Sequence, residues 1–423
     1  MKTKILLILL LVVHFSFGQQ QFGQQRTCGV DHYMEKMMAD PVARSFYEEF
    51  QEKFEIELQK LNEKQLQGYR NANVTNSTIR IPVAVHYPSA GSANATLRDC
   101  LRNLAQNQIN ILNADYNATN ADISNWDDVN GLFPGVNVGS MDVEFVIATQ
   151  NHPTGTGLSN GDLAVTFGTD FLGGADSDMT WAGYMNIVVR NESGGILGYS
   201  PLGGQPGSGH TVVIDNNAFG SLTSCTGYVP GAPYNLGRTL THELGHFFNL
   251  NHTFVGCTNT SCSTQGDRVC DTPPSNTSTG GCPTPGTVNN CSTPTLTMNY
   301  MDYTNDACMY MFTAGQASRM LAWYNAISSQ FLTNVLLSVG DNILSEFVIY
   351  PNPNKGNFNI QFPEIIGDFS VQIIDQSGRM VFDGEFSTQS NTQSIDLNIT
   401  ARGVYFVTVR SDTAIATKKI IIN

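Results

Sequence analysis

The chain has 423 residues, of which 41% are hydrophobic and 14% charged, a balance typical of a folded globular protein. Its length predicts two or three domains rather than one. The formal net charge of −14 argues against a nucleic-acid partner, because proteins bind phosphate backbones through basic surfaces.

The N-terminus has the pattern of a signal peptide, which we assign to residues 1–18. Two lysines flank the start of an apolar run from Ile5 to Val13, and Gly18 is a small residue suited to cleavage. The run is too short to span a bilayer as a mature helix. The alternative to a signal peptide is a buried N-terminal helix. No later segment is apolar for long enough to cross a membrane. The pattern predicts an exported, soluble protein, which we expect to be a monomer.

Nine cysteines agree with an oxidising compartment. Cys28 stands alone near the N-terminus, Cys100 and Cys225 are scattered, and six cysteines lie between Cys257 and Cys308. The cluster indicates disulfides, and a structural zinc knot is the alternative, although no Cys-x-x-Cys pair is repeated. The odd total leaves at least one thiol without an intramolecular partner.

A helix is predicted from Pro41 to about Gln67, where apolar residues recur every three or four positions. They form one stripe, made of Phe46, Phe50, Phe54, Leu58 and Leu61. The polar stretch NANVTNST that follows, residues 71–78, is typical of an exposed linker that is open to proteolysis.

Strands and helices alternate over residues 76–335, which predicts one α+β domain. IRIPVAVHY, MDVEFVIAT, MNIVVR and TVVID are typical of strands, and ATLRDCLRNLAQNQINILNADY is typical of a helix. From Phe347 onward, short alternating segments are separated by turn residues. This spacing predicts a small antiparallel β-sandwich, which we assign to residues 343–423.

The stretch THELGHFFNLNHTF contains three of the eight histidines. His242 and His246 are four residues apart, so on a helix they share one face and can bind one zinc ion. His252 can join them only if the helix ends and the chain turns back. Asn249 suits such a turn, because asparagine tolerates the left-handed backbone that glycine usually supplies. Three histidines leave one tetrahedral position open, which is typical of a catalytic zinc, whereas a helix with incidental histidines is the alternative.

HELGHFFNLNH resembles the extended zinc motif of the metzincin metallopeptidases. The downstream stretch NYMDYTNDACMYMFTAGQASRM resembles the Met-turn segment of their pappalysin branch, the ulilysin or cytophagalysin group, and so do GDRVCDTPP, GCPTPG and LGYSPLGG. The resemblance covers most of residues 79–325. It implies a metzincin-type catalytic domain, with a twisted mixed sheet and a zinc-binding helix, that hydrolyses protein or peptide substrates.

The resemblance also implies roles for single residues. His242, His246 and His252 would bind the zinc, and Glu243 would be the general base. Tyr303 would supply a phenol that stabilises the oxyanion, and Met301 would lie beneath the zinc. The alternative function is a secreted adhesin or scaffold with a purely structural zinc site. Glu243 argues against that alternative, since a structural site has no use for its carboxylate.

Residues 19–75 would form a pro-segment. In this group a pro-segment cysteine is thought to occupy the open zinc position and keep the enzyme latent, and Cys28 in RTCGVD suits that role. It would also explain the odd cysteine. Asp31 as the blocking ligand, or a Cys28 that is merely unpaired, are the alternatives.

Resemblance and spacing together imply a disulfide pattern in the cysteine cluster. Cys282 would pair with Cys308, Cys291 would pair with Cys257 or Cys262, and Cys270 would pair with whichever of those two remains. The same region offers a candidate calcium site at Asp267 and Asp271, since relatives bind calcium and carboxylate oxygens suit it. A simple acidic turn is the alternative there.

Relatives favour cleavage before a basic residue, which requires an acidic group in the primed-side pocket. Asp306, five residues past Met301, is the candidate, because a buried carboxylate can pair with a guanidinium in a bidentate way. With this preference the enzyme could cut its own chain just before Arg70 and so free the zinc from Cys28.

The C-terminal segment resembles the sorting domain of proteins exported by the bacterial type IX system. YPNPNKGNF, IIDQSGRM and ARGVYFVTVRSDTAIATKKIIIN carry this resemblance. It implies the type IX secretion machinery as a partner and a location outside a bacterial cell or on its surface. A carbohydrate-binding or adhesive sandwich is the alternative.

Overall fold

The computed structural model describes residues 26–66, 79–336 and 347–423, with short gaps at 169–170, 172–174, 259–260, 363–366, 377, 389, 398–400 and 412–414. The predicted signal peptide and the predicted cleavage site before Arg70 lie outside the described residues. Within them, no helix is both long enough and apolar enough for a membrane span.

Two helices open the described chain, α1 (Val30–Ala39) and α2 (Pro41–Leu66). Phe54 on α2 is completely buried, and Phe50, Leu58 and Leu61 pack against the same core. Phe46 is 54% exposed, so the predicted apolar stripe contacts the domain only from the middle of α2 onward.

A six-stranded mixed sheet forms the centre of the following domain. Its elements in chain order are β1 (Ile79–Tyr87), α3 (Ala95–Tyr116), α4 (Asn125–Val129), β2 (Val143–Ile147), β3 (Val165–Phe167), β4 (Met185–Arg190), β5 (Gly198–Tyr199) and β6 (Thr211–Asp215). The strand order is β2-β1-β4-β6-β5, and β3 pairs with the last residues of β1. The pairs are parallel except that β5 runs antiparallel to β6. The central strands β4 and β6 are rich in valine and isoleucine and are buried along almost their whole length, as expected where both faces of a sheet are covered.

Two further helices complete this domain, α5 (Arg238–Phe247) and α6 (Ala314–Ile327). All ten residues of α5 are buried, and the helix packs against β6, β5 and α3. A two-stranded hairpin, β7 (Asn289–Asn290) and β8 (Thr293–Pro294), lies between them in the chain. The sheet and its histidine-bearing helix confirm the predicted α+β architecture.

The C-terminal segment forms two antiparallel sheets with a hydrophobic core of their own. Its strands are β9 (Val348–Tyr350), β10 (Asn357–Gln361), β11 (Gly367–Asp375), β12 (Met380–Thr388), β13 (Thr392–Asp396), β14 (Gly403–Ser411) and β15 (Ile415–Ile422). One sheet has the order β13-β10-β9 and the other β12-β11-β14-β15. Alternate residues such as Val371, Ile373, Val407 and Val409 point into the core, as expected for a small β-sandwich.

Candidate active site

Three imidazoles converge at the C-terminal half of α5. The Nε2 atom of His252 lies 3.3 Å from that of His242 and 3.1 Å from that of His246. All three side chains are buried, at 6% exposure or less. Ligands held about 2.0–2.1 Å from a tetrahedral zinc ion are roughly 3.3 Å apart, so these spacings fit zinc.

The return of the chain to His252 depends on how α5 ends. Asn249 has a φ of 68°, in the left-handed region, as the turn in the motif predicts. The Asn249 and Leu250 N–H groups donate to the carbonyls of His246 and Gly245, which closes the helix and reverses the chain. The turn therefore takes His252 back beside the other two histidines.

Backbone carbonyls orient the two histidines of α5. The Nδ1 atom of His242 donates to the carbonyl of Tyr300 at 2.6 Å, and that of His246 donates to the carbonyl of Leu250 at 2.7 Å. These bonds leave each Nε2 free to bind a metal. Burial lowers the pKa of His242, His246 and His252, which favours the neutral imidazole that metals require.

Met301 lies directly under this helix. A Cβ added to Gly245 would come within 2.4 Å of the Met301 sulfur, so a side chain at position 245 would have to displace the Met301 side chain. The Thr253 N–H donates to the Met301 carbonyl, which joins the segment after His252 to the methionine turn. Glycine between the two helical histidines thus leaves room for Met301 against the helix.

Glu243 and Tyr303 lie beside the three imidazoles. Glu243 is 1% exposed, and burial raises its pKa to about 8, although the charge of Arg26 opposes the rise. The ring of Tyr303 is centred 5.7 Å from that of His242 and 5.1 Å from that of His252. Burial, followed by the charges of Cys28 and Glu243, raises the pKa of Tyr303, so its phenol remains a proton donor.

Cys28 is the free cysteine, and it joins this cluster from outside the domain. Its sulfur and one nitrogen from each of the three histidines all lie within 4.8 Å of one another. The sulfur also lies 3.2 Å from a Glu243 carboxylate oxygen. Cys28 pairs in parallel with Gly198 on the edge strand β5, and the Gly29 N–H donates to the Gly198 carbonyl at 3.0 Å. Asp31, the other residue considered for this position, is the first acidic residue of α1 and is exposed.

Arg26 is a residue that the motif analysis missed. Its guanidinium donates to the Asp306 carboxylate at 2.5 Å, and both side chains are almost fully buried. It also lies over the Tyr234 ring, 5.1 Å from the centroid, and donates to the Thr239 hydroxyl. The expected preference for a basic residue, together with the arginine in RTCGVD, could have predicted this contact.

The cysteine-rich segment contains three disulfides, and a fourth joins Cys100 to Cys225. The three are Cys257–Cys291, Cys262–Cys270 and Cys282–Cys308, which lie within the pattern that the resemblance implies. The two calcium candidates accept hydrogen bonds from the protein. Asp267 accepts from Thr272 and Val269, and Asp271 accepts from Thr313 and Gly315 at the start of α6.

The mixed sheet, the histidine helix and the methionine beneath it define a metzincin-type metallopeptidase domain. Residues 178–325 match the family model described as pregnancy-associated plasma protein-A, and residues 348–423 match that of a secretion system C-terminal sorting domain. The chain therefore belongs to the pappalysin family of metallopeptidases. Its sorting domain indicates type IX secretion and a location at the cell surface or outside the cell.

Several relatives support this assignment. Extracellular metalloprotease 1 of Coccidioides posadasii is 43% identical over 142 residues, which are 32% of this chain and 48% of that protein. An extracellular metalloprotease of Verticillium alfalfae is 43% identical over 152 residues, which are 33% of this chain and 50% of that protein. The chain thus spans about half the length of these relatives.

Two solved structures from Tannerella forsythia are also similar. A promirolysin mutant is 28% identical, with 71% of this chain and 94% of that chain covered and a TM-score of 0.50. Mature mirolysin in complex with a cleaved peptide is 31% identical, with 58% of this chain and 90% of that chain covered and a TM-score of 0.44.

Proposed function

We propose that the protein is a secreted zinc endopeptidase that is made as a latent zymogen. The observation that carries the proposal is the convergence of three buried imidazole nitrogens, 3.1 and 3.3 Å apart, beside the buried carboxylate of Glu243. We assign residues 1–18 to a signal peptide, 19–75 to the pro-segment, 76–335 to the peptidase domain and 343–423 to the sorting domain. Its substrates would be proteins or peptides.

His242, His246 and His252 would hold the zinc ion. Bound there, zinc supplies a Lewis acid that polarises a peptide carbonyl and acidifies a water molecule. Glu243 takes the proton of that water and delivers it to the leaving amine. Tyr303 donates a hydrogen bond from its phenol to the oxyanion, which is the carbonyl oxygen after water has added to the carbonyl carbon.

The pro-segment keeps this site closed by a substrate-like contact. Cys28 supplies a fourth, soft ligand atom to the three-histidine set and excludes the water that the reaction needs. The backbone around Cys28 pairs with the edge strand β5, which an extended peptide substrate could use in the same way.

Asp306 would select a basic residue after the cleaved bond. Arg26, which precedes Cys28 by two residues, supports this role. Its guanidinium is bound to Asp306 and so takes the place of a substrate arginine. The Asp306 carboxylate also accepts from the backbone N–H groups of Leu236 and Arg238, which hold it in place.

Calcium at Asp267 and Asp271 stays a prediction. The Asp271 carboxylate accepts from Gly315 at the start of α6, and burial raises the pKa of Asp267 to about 7, a cost that a bound cation would offset. If calcium binds there, adding it to chelated, zinc-restored protein raises the melting temperature. An unchanged melting temperature would exclude a stabilising site.

Glu243→Ala tests the catalytic proposal. The pro-segment is cut by an unrelated protease at a recognition sequence placed in residues 71–78, and is then separated from the domain. We expect the variant to retain one zinc per chain but to hydrolyse a peptide at least ~1,000-fold more slowly, since it lacks the proton acceptor. Metal analysis and a peptide assay, with and without a chelator, measure the two effects.

Glu144→Ala is the matched control, because Glu144 is exposed on β2, where it forms an ion pair with Arg80. It should bind zinc and cleave like the unmodified protein. If the unmodified protein binds zinc and is destabilised by the chelator yet cleaves no peptide or denatured protein, the structural scaffold is the correct function instead.

A further inference from the structure

Helix α2 binds the peptidase domain at a place separate from the metal site. We infer that α2 is a docking helix that keeps the pro-segment bound after the linker at residues 71–78 has been cut, so that the nicked protein is still latent. This inference rests on the proposed zymogen function and adds a second step to its activation: release of α2.

Phe54 is the centre of the α2 contact. Its side chain is completely buried, although residues on both sides of it in the helix are exposed. Its ring lies 5.8 Å from that of Trp323, and the guanidinium of Arg319 lies over it at 4.6 Å from the centroid. Phe54 thus fills a socket formed by α6.

A pair of amides lies one helical turn before this socket. Gln51 donates to the Asn249 side-chain oxygen, and Asn249 donates to the Gln51 side-chain oxygen, both at 3.1 Å. A glycine at position 249 would suit the left-handed turn equally well, but it could make neither bond. The asparagine of the zinc turn therefore serves two purposes, and the second is to bind α2.

Arg319 joins the socket to the turn. Its Nε donates to the Asn249 carbonyl at 2.9 Å while its guanidinium stacks on Phe54. Burial lowers its pKa to about 10, and the charge of Glu55 on α2 acts against that fall. The α6 socket offers apolar and cationic partners, the turn at Asn249 offers an amide, and α2 carries a matching group for each.

The contacts that bind the pro-segment to the domain do not depend on an uncut linker. Arg26 and Cys28 bind at the metal site, Gln51 and Phe54 bind at α6 and the zinc turn, and the linker follows both. Cutting the linker breaks no contact of either set. Several anchors on one segment raise the effective concentration of each, so the segment should dissociate slowly.

The test uses a full chain that carries Glu243→Ala and a protease recognition sequence in residues 71–78. After complete cutting, the protein is run on size exclusion at micromolar concentration, and its fractions are examined on a denaturing gel. We expect the pro-segment to co-elute with the peptidase domain. Its separation from the domain in this run would overturn the inference, whatever the peptidase activity, because the readout does not need catalysis.

Phe54→Ala and Phe46→Ala form a matched pair on the same helix, because Phe46 is 54% exposed. We expect Phe54→Ala to weaken the affinity of the cut pro-segment for the domain by about 100-fold or more, because it empties a buried aromatic socket. Phe46→Ala should leave this affinity unchanged. Equal retention in the two variants would show that α2 is not the anchor.

Asn249→Gly tests the amide pair and keeps the backbone turn. The affinity of the cut pro-segment for the domain should fall about tenfold, since two hydrogen bonds are lost. Gln59→Ala, on an exposed face of α2, should leave the affinity unchanged. With Glu243 intact, nicked protein should gain peptidase activity only on dilution or after Phe54→Ala. Full activity immediately after cutting would contradict the inference, and no activity after α2 has been separated would contradict the proposed function instead.

Discussion

At the scale of single residues, Gly245 packs the candidate zinc ligands against the proposed Met-turn. It lies between the two helical histidines, and an added Cβ would meet the Met301 sulfur at 2.4 Å. Gly245→Ala should therefore push Met301 away and destabilise the domain by about 1–3 kcal/mol, the usual range for overpacking. Zinc affinity should fall as well, because Tyr300, whose carbonyl orients His242, precedes Met301.

Thermal melting and zinc titration measure the effects of Gly245→Ala. Gly131→Ala is the control, because its added Cβ would meet no atom within 4 Å. We expect that variant to stay within about 0.5 kcal/mol of the unmodified protein. A Gly245→Ala protein with unchanged melting and zinc binding would mean that the methionine turn can move at little cost.

The disulfides act at the scale of elements. Cys282–Cys308 closes a separation of 26 residues and ends in the 3-10 turn Asp306–Cys308 that bears the candidate specificity carboxylate. Replacing both cysteines by serine should destabilise the domain by about 3 kcal/mol and loosen Asp306. We expect kcat/KM to lose part of its preference for arginine after the cleaved bond.

Replacing Cys100 and Cys225 by serine provides the comparison. That bridge spans a separation of 125 residues, so its loss should cost more stability, about 4–5 kcal/mol, but it lies elsewhere in the fold and should leave the preference intact. Denaturant unfolding and a set of peptides that differ only in this residue separate the two effects. An equal change of preference in both variants would mean that Asp306 is not positioned by its own disulfide.

Local patterns predicted most of the elements. The strand Ile79–Tyr87 and the helix Ala95–Tyr116 have the predicted bounds, because periodicity and a side-chain cap at Asn94 define them locally. Strand β2 is shorter than the segment MDVEFVIAT, since strand ends depend on pairing with β1, which is far away in sequence. The exposure of Phe46 was not predictable either, because the stripe does not indicate where the partner surface ends.

In the candidate site, too, the local features could be predicted from the sequence and the long-range contacts could not. Three histidines, Glu243 and the turn at Asn249 lie within eleven residues, so their spacing alone predicts a metal site. The contact of Arg26 with Asp306 joins residues 280 apart, and that of Gln51 with Asn249 joins residues 198 apart. Contacts of this kind follow from how residues 26–66 pack on the finished domain, and no periodicity encodes them.

Maturation concerns the whole molecule. Purified unmodified protein should trim itself just before Arg70 on incubation, because the pocket around Asp306 accepts a guanidinium and the polar stretch after Arg70 is typical of an accessible linker. Glu243→Ala should stay full length alone and be trimmed when a little unmodified protein is added. N-terminal sequencing over time identifies the bond.

Arg70→Gln should block or shift this cut, and Arg44→Gln, an exposed arginine on α2, is the matched control that should leave it unchanged. Because Phe54 and Gln51 of α2 bind the domain whether or not the chain is cut before Arg70, peptidase activity should lag behind the trimmed band. Trimming of Glu243→Ala alone, at the same bond and the same rate, would mean that another protease matures the chain. Activity that rises in step with the trimmed band would mean that α2 leaves as soon as the linker is cut.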